Sequence, residues 1–134
     1  MSSAPTDRLP PAPSPHPASV LHLVELTWKP GVEQKSVDGL TDDLYQMASE
    51  LDMIRYFTCG PALHLRPGGA DYALLVGFDT NQDLLDYLAH PLHIETLHRW
   101  ASIMVQEKQS IQISTAAAEA LRVTAGIREK AMHP

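Results

Sequence analysis

The chain has 134 residues, 44% hydrophobic and 19% charged, which fits one globular domain with its own core plus tails. Ten Lys and Arg against 16 Asp and Glu give a formal net charge of -6 with no basic cluster, so the counterion release that drives nucleic-acid binding is missing and no nucleic-acid partner is expected. With no apolar run near the roughly 20 residues that span a bilayer, no signal-like N-terminus and one cysteine, Cys59, the expectation is a cytoplasmic protein, off the membrane and held by packing alone.

Residues 1–18 carry six prolines separated by small and polar residues, which removes amide donors and leaves little to bury; a disordered arm of polyproline character is expected there. Order begins near Ser19. The stretch "SVLHLVELTW" alternates Val20, His22, Val24, Leu26 and Trp28 with Leu21, Leu23, Glu25 and Thr27, as a strand does. "KPGV" stops it, and "EQKSVDGLTDDLYQMASEL" sets Val37, Leu40, Leu44, Met47 and Leu51 on one helical stripe, with Asp42 and Asp43 on its solvated side. "MIRYFTCGPALHL" reads as a second strand that ends or bends at Gly60-Pro61. The turn signal "RPGG" then leads into "DYALLVGF", whose Tyr72, Leu74, Val76 and Phe78 oppose Ala73, Leu75 and Gly77. In "TNQDLLDYLAHPLHIETLHRWASIM", Thr80 or Asn81 is a cap candidate, and Pro91 divides a short helix from a longer one. "KQSIQIS" alternates as a fourth strand. Residues 115–134 hold good helix formers on a weak stripe (Ala117, Leu121, Ile127), read as a C-terminal helical extension outside the main domain.

Strand, helix, strand, strand, helix, strand is the order of a ferredoxin-like α+β sandwich: a four-stranded antiparallel sheet with helices on one face, here over residues 19–114. Strands one and three are apolar on both sides, yet the helices can cover only one. Leu21, Leu23, Ala73 and Leu75 would therefore stay wet in a monomer, which predicts a homodimer joined sheet to sheet.

The segment "YLAHPLHIETLHRW" concentrates titratable groups. A metal centre is not expected, because His98 lies five residues past His93, roughly 140° around a helix, and the H-E-x-x-H spacing is absent. His90, just before Pro91, suits a helix N-cap. His98 belongs to a solvated face. His93 heads the stripe continued by Leu97, Trp100 and Met104 and so points inward. If the face of strand one that bears His22 looks at the helices, His22 can meet Tyr87 and His93. Lone core histidines usually do no more than satisfy a hydrogen bond. Two imidazoles and a tyrosine aimed at one apolar layer are instead the parts for abstracting a proton next to a carbonyl: a neutral imidazole accepts it and a phenol stabilises the oxygen that gains charge. Cys59 reads as a small buried hydrophobe, and Gly68-Gly69 as a turn without phosphate-loop spacing.

"VLHLVELTWKPGV", Gly60, "DYALLVGFDTNQDLLDYLAHPLH" and "IQIS" together resemble the stress-responsive dimeric α/β-barrel family, most specifically through Y-x-x-H-P-x-H at Tyr87, His90, Pro91 and His93. The resemblance implies two sheets closed into a dimeric α/β barrel. Some members are small cyclases of poly-β-ketone chains, and their catalytic tyrosine and histidine match Tyr87 and His93, with the first-strand histidine at His22. Where the plant polyketide cyclases carry a further inward histidine on strand three, this chain has Tyr72. Carried over position by position, the substrate wall would comprise Tyr72, Val24, Leu26, Leu40, Leu44, Leu74, Val76, Leu84 and Leu88. The leading expectation is a cyclase of natural-product biosynthesis that takes a hydrophobic small molecule and needs no cofactor or metal. Two competitors stand beside it: a non-catalytic dimeric stress or binding protein with its pocket filled by side chains, and a haem-linked monooxygenase with His22 or His93 as axial ligand.

Overall fold

The computed structural model describes residues 18–115. The expected proline-rich arm and C-terminal helix, residues 18 and 115 aside, lie outside the described residues. The chain runs β1 (Val20–Trp28), α1 (Gln34–Ser49), β2 (Tyr56–Pro61), β3 (Tyr72–Phe78), α2 (Asn81–Ala89), α3 (Pro91–Met104) and β4 (Val105–Ser114). The strands form one antiparallel sheet in the order β2-β3-β1-β4, the ferredoxin-like arrangement expected from the element order.

Period-two alternation decides what each strand contributes. In the β1–β3 ladder His22 lies opposite Val76, Val24 opposite Leu74 and Leu26 opposite Tyr72, and all six are buried on the helix side. The expected stripe of α1, from Val37 through Leu40, Leu44 and Met47 to Leu51 just beyond its end, is buried against them. Burying such side chains supplies roughly 1.5–3 kcal/mol each before entropy is charged, so this layer dominates the stability of the fold.

Local signals set the joints. Thr80 caps α2, its side chain accepting from the Asp83 N–H at 3.0 Å. His90 is both the last residue of that helix pair's bend and the N-cap of α3, its Nδ1 accepting from the Leu92 N–H at 3.1 Å, while Pro91 occupies the first turn where its missing N–H costs nothing. β2 ends at Gly60-Pro61, as its sequence suggests, and Asp71 ties the hairpin to β1 by accepting from the Trp28 N–H at 2.8 Å.

Three details depart from the sequence reading. β4 begins at Val105, directly after α3 and without a loop, and not at Lys108. Strand two is shorter than "MIRYFTCGPALHL": Met53 to Arg55 precede it and Ala62 to Leu65 lie in the exposed loop after it. Asp43 is not merely solvated, because its Oδ2 accepts from the Trp100 indole N–H at 2.7 Å and from Arg99 at 2.9 Å, bracing α1 against α3. That brace lets the tip of Trp100 lie over Gly39, where any Cβ would come within 2.7 Å of Cη2.

Candidate functional site

The alternation of β1 carries His22 inward, 5% exposed, and the bend at His90-Pro91 turns His93 inward from the first turns of α3, 8% exposed. Tyr87, three residues before the bend on the inner face of α2, is 1% exposed and sits between them. Its ring centre lies 4.4 Å from that of His93, 6.3 Å from that of His22 and 5.2 Å from that of Phe78. The three groups that strand and helix periodicity aimed at one layer are thus neighbours.

Hydrogen bonds fix the imidazole tautomers. A backbone carbonyl can only accept, so the His93 Nδ1 facing Leu88 O at 3.2 Å carries the proton and Nε2 keeps its lone pair. The Gln112 side-chain amide donates to His22 Nδ1 at 2.8 Å, which puts the His22 proton on Nε2. One ring is therefore a base and the other a donor. Burial lowers the pKa of both imidazoles. For His22 the charges of His93 and Lys108 act in the same direction; for His93 the bond to Leu88 opposes the burial, and Lys108 and His90 add to it. Burial, helped slightly by Cys59, pushes the Tyr87 phenol well above its usual range, so it remains a proton donor. Its hydroxyl has no partner among the described residues, and since no fully buried side-chain nitrogen or oxygen among them lacks one, that oxygen keeps some exposure.

These groups border a cavity of about 300 Å3, at the small end of ligand pockets. Its apolar wall includes Val24, Leu26, Leu40, Leu44, Leu74 and Leu88, all expected there, together with Leu97, which the sequence reading placed on the inward stripe of His93 but not in the substrate wall. Tyr72, Val76 and Leu84 are not in the lining: all three are buried in the core, and the Tyr72 hydroxyl is engaged by Thr41 Oγ1 at 2.6 Å. The fourth wall is polar and was missed. Lys108, Ser110 and Gln112 line the cavity from β4, opposite Leu26, Val24 and His22 in the ladder. The alternation of "KQSIQIS" separates these residues from Ile111 and Ile113, but it is the register that turns the polar set inward.

His90 is absorbed by its cap, and His98 is exposed on α3. Among the described residues no three His, Cys, Asp or Glu side chains cluster as a metal set would require. Burial pushes the Cys59 thiol up, against the smaller pull of hydrogen bonds to Tyr72 and Tyr45, which keeps it a weak nucleophile.

A model of the stress responsive A/B barrel domain matches residues 20–111, a span that contains every strand except the end of β4 and all three histidine–tyrosine groups. The chain belongs to that family. Solved members and relatives share the fold. A dimeric ferredoxin-like protein of unknown function from Thermobifida fusca superposes with a TM-score of 0.67 at 21% identity, over 72% of this chain and 91% of its own. A hydroxynitrile lyase from Passiflora edulis gives 0.64 at 18% identity, over 74% and 94%. A Mesorhizobium loti protein of the same A/B barrel family gives 0.62 at 16% identity, over 72% and 95%. No curated protein matches the chain. At these identities the likeness is one of fold, and the structural neighbours include proteins of unknown function beside an enzyme, so the chemistry has to be argued from the cavity.

Proposed function

We propose that this protein is a cofactor-independent acid–base catalyst that closes a ring on a polyketide-like β-dicarbonyl bound in the cavity. One observation carries the reading: the two inward imidazoles and the Tyr87 phenol border one mainly apolar space of about 300 Å3, whereas groups that only satisfied one another would leave a filled layer. His93 Nε2 takes the acidic proton from the carbon between two carbonyls, and the Tyr87 hydroxyl donates to the oxygen that gains charge. The enolate carbon then attacks a further carbonyl of the same chain, beyond the two that flank it. The proton held by His93 returns to the new alkoxide, so atoms and charge balance without a redox partner. His22, with its proton on Nε2, holds a carbonyl oxygen by hydrogen bonding and is itself held by Gln112. The leucine wall folds the substrate into the reactive conformer, and that positioning supplies much of the acceleration.

The same proposal includes a homodimer, acting in the cytoplasm. The sheet face away from the helices exposes Leu21, Leu23 and Leu75 in part, with Ile111 at 55% and Ile113 at 50% exposure. Such a contiguous apolar surface calls for cover, and the T. fusca relative is described as dimeric. Catalysis is tested by offering a tetraketide N-acetylcysteamine thioester, the shortest chain whose C–C closure from a carbon between two carbonyls gives a six-membered ring, and following cyclised product by chromatography and mass spectrometry. His93→Ala should slow turnover by about 10²–10⁴, the usual contribution of a general base. A His93→Ala protein as fast as the wild type would overturn the role of His93.

A further inference from the structure

The cavity has a pattern of charge that the proposed ring closure does not use. Of its thirteen lining residues one is a cation, Lys108, and none is a carboxylate. That contrasts with a chain whose acids outnumber its bases by 16 to 10. Lys108 pairs with no acidic side chain among the described residues. It extends from the edge strand opposite Leu26, whereas Gln112, four residues along the same face, is bonded to His22. At roughly 3.4 Å per residue those two ends of the polar wall are about 14 Å apart. The space between them faces leucines. The cavity therefore has an apolar body, an acid–base cluster, and a lone ammonium on the side that opens to solvent.

We infer that the ligand of this cavity is an amphiphilic carboxylate, its anionic end held by Lys108 at the β4 side and its apolar chain laid along the leucine wall past His93 and Tyr87. This rests on the cavity being the substrate site, as proposed above, and adds the charge of the substrate. A single lysine with no arginine fork beside it matches one carboxylate better than a phosphate dianion, which draws several donors. Electrostatics agree with the placement: Lys108 lowers the pKa of both His22 and His93, so its charge reaches the reacting groups. An anion paired with it would relieve that effect, and the acid–base groups would thereby respond to whether the anchor is filled.

Octanoate and its neutral counterpart octanamide test this by calorimetric titration of the full-length protein at low salt, with the histidine ring signals followed by NMR. Octanoate should bind about fivefold to tenfold more tightly than octanamide, the range expected for a charge-assisted contact near the surface. The preference should shrink toward unity in Lys108→Met, which keeps the aliphatic stem, and at high salt, which screens the pair. Bound octanoate should raise the pH midpoints of the His22 and His93 rings, which a lysine serving only the fold would not do. Equal binding of the two ligands, no binding of either, or a preference that survives in Lys108→Met would overturn the proposal. The two readings fail separately: His93→Ala should slow cyclisation by about 10²–10⁴ without changing the octanoate preference. A protein that cyclises thioesters yet ignores ligand charge refutes the anchor alone, and one that selects carboxylates without His93-dependent turnover refutes the catalytic reading alone.

Discussion

Acid should unfold this protein earlier than its carboxylates alone would dictate, and the cause is the pair His22 and His93. Both are buried and have lowered pKa values, chiefly through desolvation. In the unfolded chain each returns to about 6.5. Between the folded and unfolded values the unfolded state binds more protons, so stability rises with pH there. The contribution is fully present above pH 6.5 or so and is lost as the pH falls through the folded values. Each imidazole can give a slope of at most about 1.4 kcal/mol per pH unit, and the two together about 2.7 kcal/mol per unit. Because a charged His93 disfavours a charged His22, the second protonation extends the loss to lower pH. Urea midpoints measured in half-unit steps from pH 7.5 to 5.5, at one protein concentration, read this slope above the range of ordinary carboxylates. His22→Gln and His93→Gln should each remove up to half of it. The other five histidines are present in every variant and cancel in the comparison. A stability that is flat across this window, or a slope that the double variant keeps, would show that these imidazoles are not held neutral by burial.

Gly39→Ala should cost about 1–2 kcal/mol in urea denaturation although alanine favours helices by about 1 kcal/mol, because the added Cβ meets Trp100 at 2.7 Å and Asp43 pins the indole; a stabilised variant would contradict the packing argument. Tyr87→Phe should leave stability within about 1 kcal/mol, since its hydroxyl has no partner among the described residues, while turnover of a thioester substrate drops about a hundredfold; the opposite pattern would make Tyr87 structural. Leu23→Glu places a charge in the middle of the exposed sheet face and should convert a dimer to a monomer in sedimentation equilibrium, with the far-ultraviolet spectrum unchanged. A wild-type chain that already sediments as a monomer at micromolar concentration removes the sheet-to-sheet assembly.

The fold was legible because its signals are local and agree with one another. The alternation in β1 and β3, the stripe in α1, the Thr80 cap and the Pro91 break each name an element and a face, and their order leaves few ways to assemble them. Tyr87, His93 and His22 were legible for the same reason, since each sits on a face defined by apolar neighbours. Depth was not. Strand and helix periodicity say that Tyr72, Val76 and Leu84 point inward, but not that they end in solid core while Leu74 and Leu97 reach the cavity; that depends on where the helices stop covering the sheet. Asp43 was misread because its partners are more than fifty residues away and nothing in "DD" announces them.

The facing of β4 was left open for a more instructive reason. Its two faces are Lys108, Ser110 and Gln112 on one side and Ile111 and Ile113 on the other, and the usual rule turns the isoleucines toward the helices. Here the rule is inverted. α1 packs on β2, α2 on β1 and β3, and α3 touches β4, yet every β4 residue from Gln106 to Ser114 is exposed. An inward apolar face on β4 would have invited the helices to close over it and fill the space beside His22 and His93. Polar side chains there cost little because water reaches them, and they keep the layer from collapsing. The isoleucines then lie outward, on the face where a second sheet would bury them. Cavity and proposed assembly surface are thus two consequences of one alternation, and a register slip of a single residue in β4 would exchange them.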